Sequence, residues 1–328
     1  MSKFSQRARV LAVMLSLSTA CGLQAQRSGH RNRSTVSTVS TDCYEPGQVT
    51  FVRLWEGRAP GATGDDPCRD IPYLRVFRSS PSSSRAAILI IPGGGYDKLT
   101  DTKEQEPVAE YFSAKLHVTA FVLYYRLVQS DGTYRYPVPM WDGQRAVKLI
   151  RSRARGYGID PKQLTLFGFS AGGHLASTLS LHSATDFGLS THDAVDRENG
   201  RPDLLGLGYP VISMDPAYVP PSASCRNLLR GFSGEELKKL QVYLSGEKNV
   251  TERTPPVFLF ESMDDAVISP ENSVLFVQAL KERGIPVDAH LFAHGKHGSG
   301  LAIDEPGESA WPTMFGQWLV EQRFLSER

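Results

Sequence analysis

The sequence predicts an α/β fold, with a mainly parallel central sheet covered by helices on both faces. Three observations carry that expectation. Short unbroken apolar runs such as "AAILIIP" (86–92) have the length and closing proline of strands buried on both sides. Segments of helical spacing fall between such runs, and the succession strand, helix, strand repeats along the chain. Connections of that kind are right-handed crossovers, which make neighbouring strands parallel.

Ahead of the fold, residues 1–25 read as a secretory signal peptide. Lys3, Arg7 and Arg9 precede the apolar run Val10 to Leu17, and small residues follow through Ala20 and up to Ala25. The run is too short to span a membrane as a mature helix. Cleavage is expected after Ala25. Lipidation of Cys21 is the less favoured reading, because Ser18 stands where a larger aliphatic residue is usual. Residues 26–45, opening with "QRSGHRNRSTVSTVST", are polar and low in complexity and read as a disordered linker. The folded domain is assigned to residues 46–328.

Removing residues 1–25 takes three basic and no acidic residues from totals of 36 and 35, which leaves a net charge of −2. Such a balance argues against nucleic acid or another polyanion as partner. Cys43, Cys68 and Cys225 then remain. In an oxidising compartment Cys43 is expected to pair with Cys68, with three unpaired thiols as the competing reading.

After the strand at 86–92, "EPVAEYFSAKL" (106–116) has helical spacing and "VTAFVLYYR" (118–126) is β-branched and aromatic. The stretch 141–158 reads as a helix capped by Asp142 and ended by glycine. "QLTLFGF" is a strand and "AGGHLASTLSLH" a helix. A looser insert covers about 184–203. Then come the strands "LLGLGYPVIS" and "PPVFLFES", a helix from Pro270 to Arg283, the strand "VDAHLFA", and a closing helix with Trp311, Phe315 and Trp318. No internal repeat is evident, so one domain is expected.

In open sheets of this kind chemistry gathers at the carboxyl ends of the strands. Gly168-Phe169-Ser170-Ala171-Gly172 lies at such an end and fits Gly-x-Ser-x-Gly. A turn that tight needs glycine two positions either side of the serine, and it leaves the hydroxyl exposed above the sheet. The amide of Ala171, at the helix start, would face a developing negative charge. A second element, "IIPGGGYDKL" (90–99), also follows a buried strand, and its Gly94 and Gly95 amides are candidate oxyanion donors beside Ala171.

A serine hydroxyl needs a base, and the base a carboxylate to orient it. Of eight histidines, five follow Ser170 by more than one helical turn. His297 is favoured over His294 because it stands deeper in the glycine-rich loop "AHGKHGSG", while His174 is assigned to packing. For the acid, Asp264 and Asp265 both lie just beyond a buried strand, and the residues alone leave either open. A histidine base implies activity that falls on the acid side of the pH profile.

With these elements in place the chain resembles the α/β-hydrolase fold, and within it the bacterial serine esterases of the acetyl xylan esterase-like, carbohydrate esterase-like branch. The resemblance runs from about residue 85 to 320. It is carried by "PGGGY", "YRL", "YPVPMWDGQRAV", "YGIDPKQLTLFGFSAGGHLA", "YPVISM", "TPPVFLFESMDDAVISPENSVLF" and "GIPVDAHLFAHGKHGSGLA". It implies a Ser170, Asp265, His297 triad, since the second acid of the Asp-Asp pair serves in that family; acyl transfer by such a triad is expected to require no cofactor and no metal. Pro92, Lys296, Ser299 and Ser269 depart from the usual pattern, and Lys296 and Ser299 put the substrate in doubt more than the mechanism.

The expected activity is hydrolysis of carboxylic esters outside the cytoplasm, first of all acetyl esters of polysaccharide, with Tyr134, Tyr136 and Trp141 as candidate sugar-stacking rings. Three readings compete: a carboxylesterase for small lipophilic esters, a prolyl oligopeptidase-like peptidase, and a catalytically silent carbohydrate-binding protein. Residues 26–85 are too few for the gating domain of the peptidase, and the intact Ser, Asp and His argue against the silent protein.

Overall fold

Eight strands make one sheet in the computed structural model, which describes residues 43–45, 47, 50–79, 84–100, 102–190 and 193–326. They are β1 (Phe51–Arg53), β2 (Tyr73–Phe77), β3 (Ala87–Ile91), β4 (Thr119–Tyr124), β5 (Leu164–Phe169), β6 (Leu204–Gly208), β7 (Val257–Ser262) and β8 (Val287–Phe292). Their spatial order is β1-β2-β4-β3-β5-β6-β7-β8. From β4 to β8 all neighbours are parallel, and β1 and β2 add an antiparallel edge. The expected signal peptide and nearly all of the expected linker lie outside the described residues.

The helices are α1 (Glu106–Lys115), α2 (Val138–Ser152), α3 (Ala154–Tyr157), α4 (Ser170–Leu181), α5 (Ala223–Leu228), α6 (Gly234–Tyr243), α7 (Glu271–Glu282) and α8 (Trp311–Glu321). Every residue of β3, β4, β5, β6 and β7 is buried, so helices cover both faces of the central strands. On one face Phe167 of β5 meets Phe112 of α1 and Trp311 and Phe315 of α8. Fully burying each such ring contributes about 1.5–3 kcal/mol. The cluster explains the glycines of "LLGLG": a Cβ at Gly206 would lie 2.3 Å from the Phe167 ring.

Several local features differ from expectation. The antiparallel strands β1 and β2 at one end of the sheet and the helices α5 and α6 are absent from the sequence reading. Helix α2 starts at Val138, after Pro137, so Asp142 is not its cap; it is buried inside the helix and paired with Arg126. Cys43 is bonded to Cys68, and Cys225 is a free, buried thiol. Cys43 and Tyr44 fall in the stretch expected to be linker, yet both are held, Tyr44 by its amide on Pro67 O at 2.9 Å and by its ring against Phe51 and Tyr73.

Candidate active site

The carboxyl ends of β3, β5, β6, β7 and β8 carry the site. Strand β5 ends at Phe169 and α4 begins at the next residue, Ser170, whose φ of 51° lies in the left-handed region. Non-glycine residues are held there only where their surroundings over-determine them. The flanking glycines show why the turn closes. A Cβ at Gly168 would meet Gly172 O at 2.3 Å, and one at Gly172 would meet Ile91 O at 2.0 Å. Helix α4 therefore abuts its own strand on one side and the end of β3 on the other.

Ser170 Oγ donates to His297 Nε2 at 2.8 Å, and His297 Nδ1 donates to Asp265 Oδ2 at 2.6 Å. The other oxygen, Asp265 Oδ1, accepts from the amides of Val267 (2.7 Å) and Ile268 (3.0 Å). With one oxygen tied to backbone, the carboxylate is aimed at the imidazole and fixes its tautomer. His297 also lies against Tyr209, with ring centroids 4.9 Å apart.

The competing residues occupy a separate place. His294 Nδ1 donates to Asp264 Oδ2 at 2.9 Å, and the two side chains are 84% and 51% exposed. Asp265 and His297 thus turn inward, while Asp264 and His294 meet each other in solvent. His174 is fully buried: Tyr96 Oη donates to its Nδ1 at 2.6 Å and its Nε2 donates to Leu244 O at 2.9 Å. Burial lowers its pKa to about 4, so the ring stays neutral and ties α4 to the glycine loop.

That loop, Pro92 to Tyr96, is held from every side. Tyr125 Oη donates to Pro92 O at 3.1 Å, Thr100 N to Gly93 O at 3.0 Å, and Asn227 Nδ2 of α5 to Gly95 O at 2.9 Å. A Cβ at Gly93 would lie 2.8 Å from Ser170 Cβ, so the loop passes directly over the serine. Among the described residues the amides of Gly94 and Gly95 donate to no protein acceptor. Ala171 lies in the first turn of α4, where amides have no partner within the helix.

Beside His297 opens a cavity of about 290 Å³, with Pro107, Leu301 and Ile303 on its apolar side and Lys103 and Lys296 at its edge. Lys296 bonds to Glu305 at 2.6 Å, and Ser299 Oγ donates to Glu308 Oε1 at 3.0 Å. The expectation of sugar-stacking rings does not hold for Tyr134, which is buried with its hydroxyl bonded to Asp70 and Thr63. Trp141 is half-buried and its indole N–H is taken by Phe187 O at 3.0 Å. Sequence reasoning missed Glu104, Tyr209 and Asn227, whose partners around the site are distant in the chain.

Glu261, on β7 just ahead of the acid, is fully buried. Burial pushes its carboxyl up to about 8 from the usual 4.5, against the pull of a bond from Ser273, and nearby Asp265 and Glu308 add to the rise. The folded protein thus holds this proton more tightly than the unfolded chain. Stability from it is complete below about pH 4.5 and is lost as pH rises through about 8. Glu261→Gln, which stays neutral, should melt several degrees above wild type near pH 9 and level with it near pH 4. Thermal melts of the two proteins at both pH values check this, and an equal offset at both would count against it.

A parallel sheet with a strained serine between strand and helix, a histidine on its oxygen and an acid behind the histidine is the arrangement of an α/β hydrolase. Residues 76–280 match the model of the BD-FAE family, and the chain belongs to that family. It is 36% identical over 256 residues to endo-1,4-beta-xylanase B of Butyrivibrio fibrisolvens, a match covering 77% of this chain and 38% of that protein. It is 30% identical over 219 residues to the acetylxylan esterase of Xylanibacter ruminicola, covering 66% and 42%. The chain therefore spans about two-fifths of the length of these curated relatives. Among solved structures, the acetyl ester-xyloside bifunctional hydrolase from Caldicellulosiruptor lactoaceticus superposes with a TM-score of 0.74 at 34% identity, covering 84% of this chain and 97% of that one.

Proposed function

We propose that the protein is an exported serine carboxylic-ester hydrolase that removes acetyl groups from polysaccharide or oligosaccharide. The observation that carries the reading is the continuous hydrogen-bonded run from Ser170 through His297 to Asp265. In this reading Ser170 Oγ attacks the ester carbonyl while its proton passes to His297 Nε2. The amides of Gly94, Gly95 and Ala171 hold the negative oxygen, each such donor contributing roughly 10²–10³ in rate. The imidazolium, steadied by Asp265, gives its proton to the departing sugar oxygen. Water, deprotonated by His297, then releases acetate from Ser170.

Two relatives support the acetyl and carbohydrate parts, being named for acetylxylan and for acetyl ester and xyloside hydrolysis. Export is supported by the bonded Cys43 and Cys68, since disulfides persist in oxidising compartments. No helix among the described residues is long and apolar enough to cross a membrane.

A fluorophosphonate should label one peptide, the one containing Ser170; label on another residue would overturn the nucleophile. Acetate release from acetylated xylan, together with a preference for 4-nitrophenyl acetate over the butyrate of at least about tenfold, tests the substrate class, since a fitted pocket discriminates a methylene or two by that much. A preference for butyrate with no acetate from the polymer would select the carboxylesterase for lipophilic esters, to which the apolar side of the cavity beside His297 lends support.

A further inference from the structure

We propose that Glu104 is a positioning residue of this site, whose ionised carboxylate joins the glycine loop to the histidine loop and gives the His297 imidazolium a second anion; the inference rests on the esterase reading above. Glu104 ends the short 3-10 turn Thr102–Glu104 ahead of α1 and is 1% exposed. Glutamates are almost never buried to that degree unless paired. Its position is therefore a demand of the site and not of the turn.

Three loops meet on this one side chain. Glu104 Oε2 accepts from Gly93 N at 2.7 Å, and Gly93 is the residue packed on Ser170 Cβ. Glu104 Oε1 accepts from Tyr209 Oη at 2.9 Å. Tyr209 Oη in turn accepts from Gly300 N at 3.0 Å, three residues beyond His297, while the Tyr209 ring lies on the imidazole. The loops after β3, β6 and β8 are thus registered against each other through two carboxyl oxygens.

The partners also select the charged form. Gly93 can only donate, and Tyr209, having accepted from Gly300, has its own hydrogen for Glu104; both carboxyl oxygens act as acceptors, an arrangement that suits an ionised carboxylate. Burial raises the carboxyl above the usual carboxylate range on balance, and the bonds from Gly93 and Tyr209 and the charge of a protonated His297 oppose that rise. Tyr209, Tyr125 and His297 face Glu104. Asp265 and Glu104 face His297, with Glu308 beyond Ser299. When His297 takes the Ser170 proton, Asp265 neutralises it from Nδ1 and Glu104 from the Tyr209 side.

Glu104→Gln keeps the volume, removes the charge and presents an amide N–H₂ to one of the two donors. For hydrolysis of 4-nitrophenyl acetate, kcat should fall roughly ten- to a hundredfold with KM little changed, a smaller loss than that of an oxyanion donor together with its neighbours. The acid limb of the kcat/KM profile should move to lower pH, because a nearby negative charge no longer favours the imidazolium. Glu104→Asp keeps the charge, and Tyr209→Phe keeps the carboxylate while cutting the bridge to Gly300. Both should lower kcat and leave the acid limb close to that of wild type.

Should the Gln variant not fold, those two still test the bridge, and wild-type kcat in both would overturn it. Wild-type kcat and an unmoved limb in Glu104→Gln, or a lower melting temperature alone, would likewise overturn the inference. With Ser170→Ala inactive, such a result sinks the role of Glu104 and spares the esterase reading. Turnover retained by Ser170→Ala sinks both.

Discussion

Ser170→Ala should lower kcat for an acetyl ester by about a millionfold, the scale of loss when the nucleophile of such a triad is removed. The variant keeps His297, Asp265 and the glycine loop, so residual turnover measures what binding and the oxyanion donors do alone. Folding should be little changed, because alanine takes the same left-handed backbone as Ser170 at φ 51° without relieving it. Asp265→Asn should cost about 10⁴-fold, since the asparagine no longer selects the tautomer that leaves Nε2 free to accept the serine proton. Asp264→Asn and His294→Ala should stay within a few-fold of wild type, because that pair is exposed and bonded to itself. Steady-state kinetics on the five proteins give the ordering. An Asp264→Asn loss as large as that of Asp265→Asn would break the assignment, as would appreciable turnover by Ser170→Ala.

The contrast between the two acid-histidine pairs shows how far the sequence could be read. Gly168 and Gly172 were legible because the tight turn admits no side chain at either, and the structure gives the colliding atoms. The choice within Asp264-Asp265 and within His294-His297 was not open to spacing, since residues so close in a loop differ mainly in the direction they turn. Resemblance pointed to Asp265, and depth in the glycine-rich loop pointed to His297. Glu104 was hidden for another reason. In "DTKEQEP" it reads as one charge among several on a solvated turn, and what buries it are a backbone amide of the glycine loop and the hydroxyl of Tyr209, 105 residues away. The short β1 and the Arg75-interrupted β2 lack the apolar run that marks the central strands, because this end of the sheet is less fully covered. Tyr134 was read as a sugar platform from its loop position alone, and burial beneath Asp70 and Thr63 assigns it to packing.

Asp142 carries a large stability effect outside the site, and its role was equally hidden. An aspartate just ahead of an apolar helical pattern looks like a cap, but Pro137 and Pro139 start α2 a turn earlier and carry Asp142 into the core. There it accepts from Arg126 N at 2.9 Å and from the guanidinium through Nε at 3.0 Å and Nη2 at 2.6 Å, with both side chains at most 1% exposed. Arg126 completes its bonds on Pro60 O at 2.7 Å and lies over the rings of Trp55 and Tyr134. Asp142→Ala would leave the Arg126 amide and the Nε and Nη2 of its buried guanidinium without an acceptor, and the buried cation without its counter-charge, a loss of about 3–5 kcal/mol. In a domain of this size that lowers the melting temperature by roughly 10 °C. Activity should fall with it, because the residue before Arg126 is Tyr125, whose hydroxyl holds Pro92 at the start of the glycine loop. Replacing both partners separates the charge from the space it fills: Arg126→Met with Asp142→Leu removes the uncompensated cation and should recover much of the lost stability. A double variant that melts below Asp142→Ala would mean that the pair holds this corner by its hydrogen bonds to backbone, and that the buried charge is not what makes the single substitution costly.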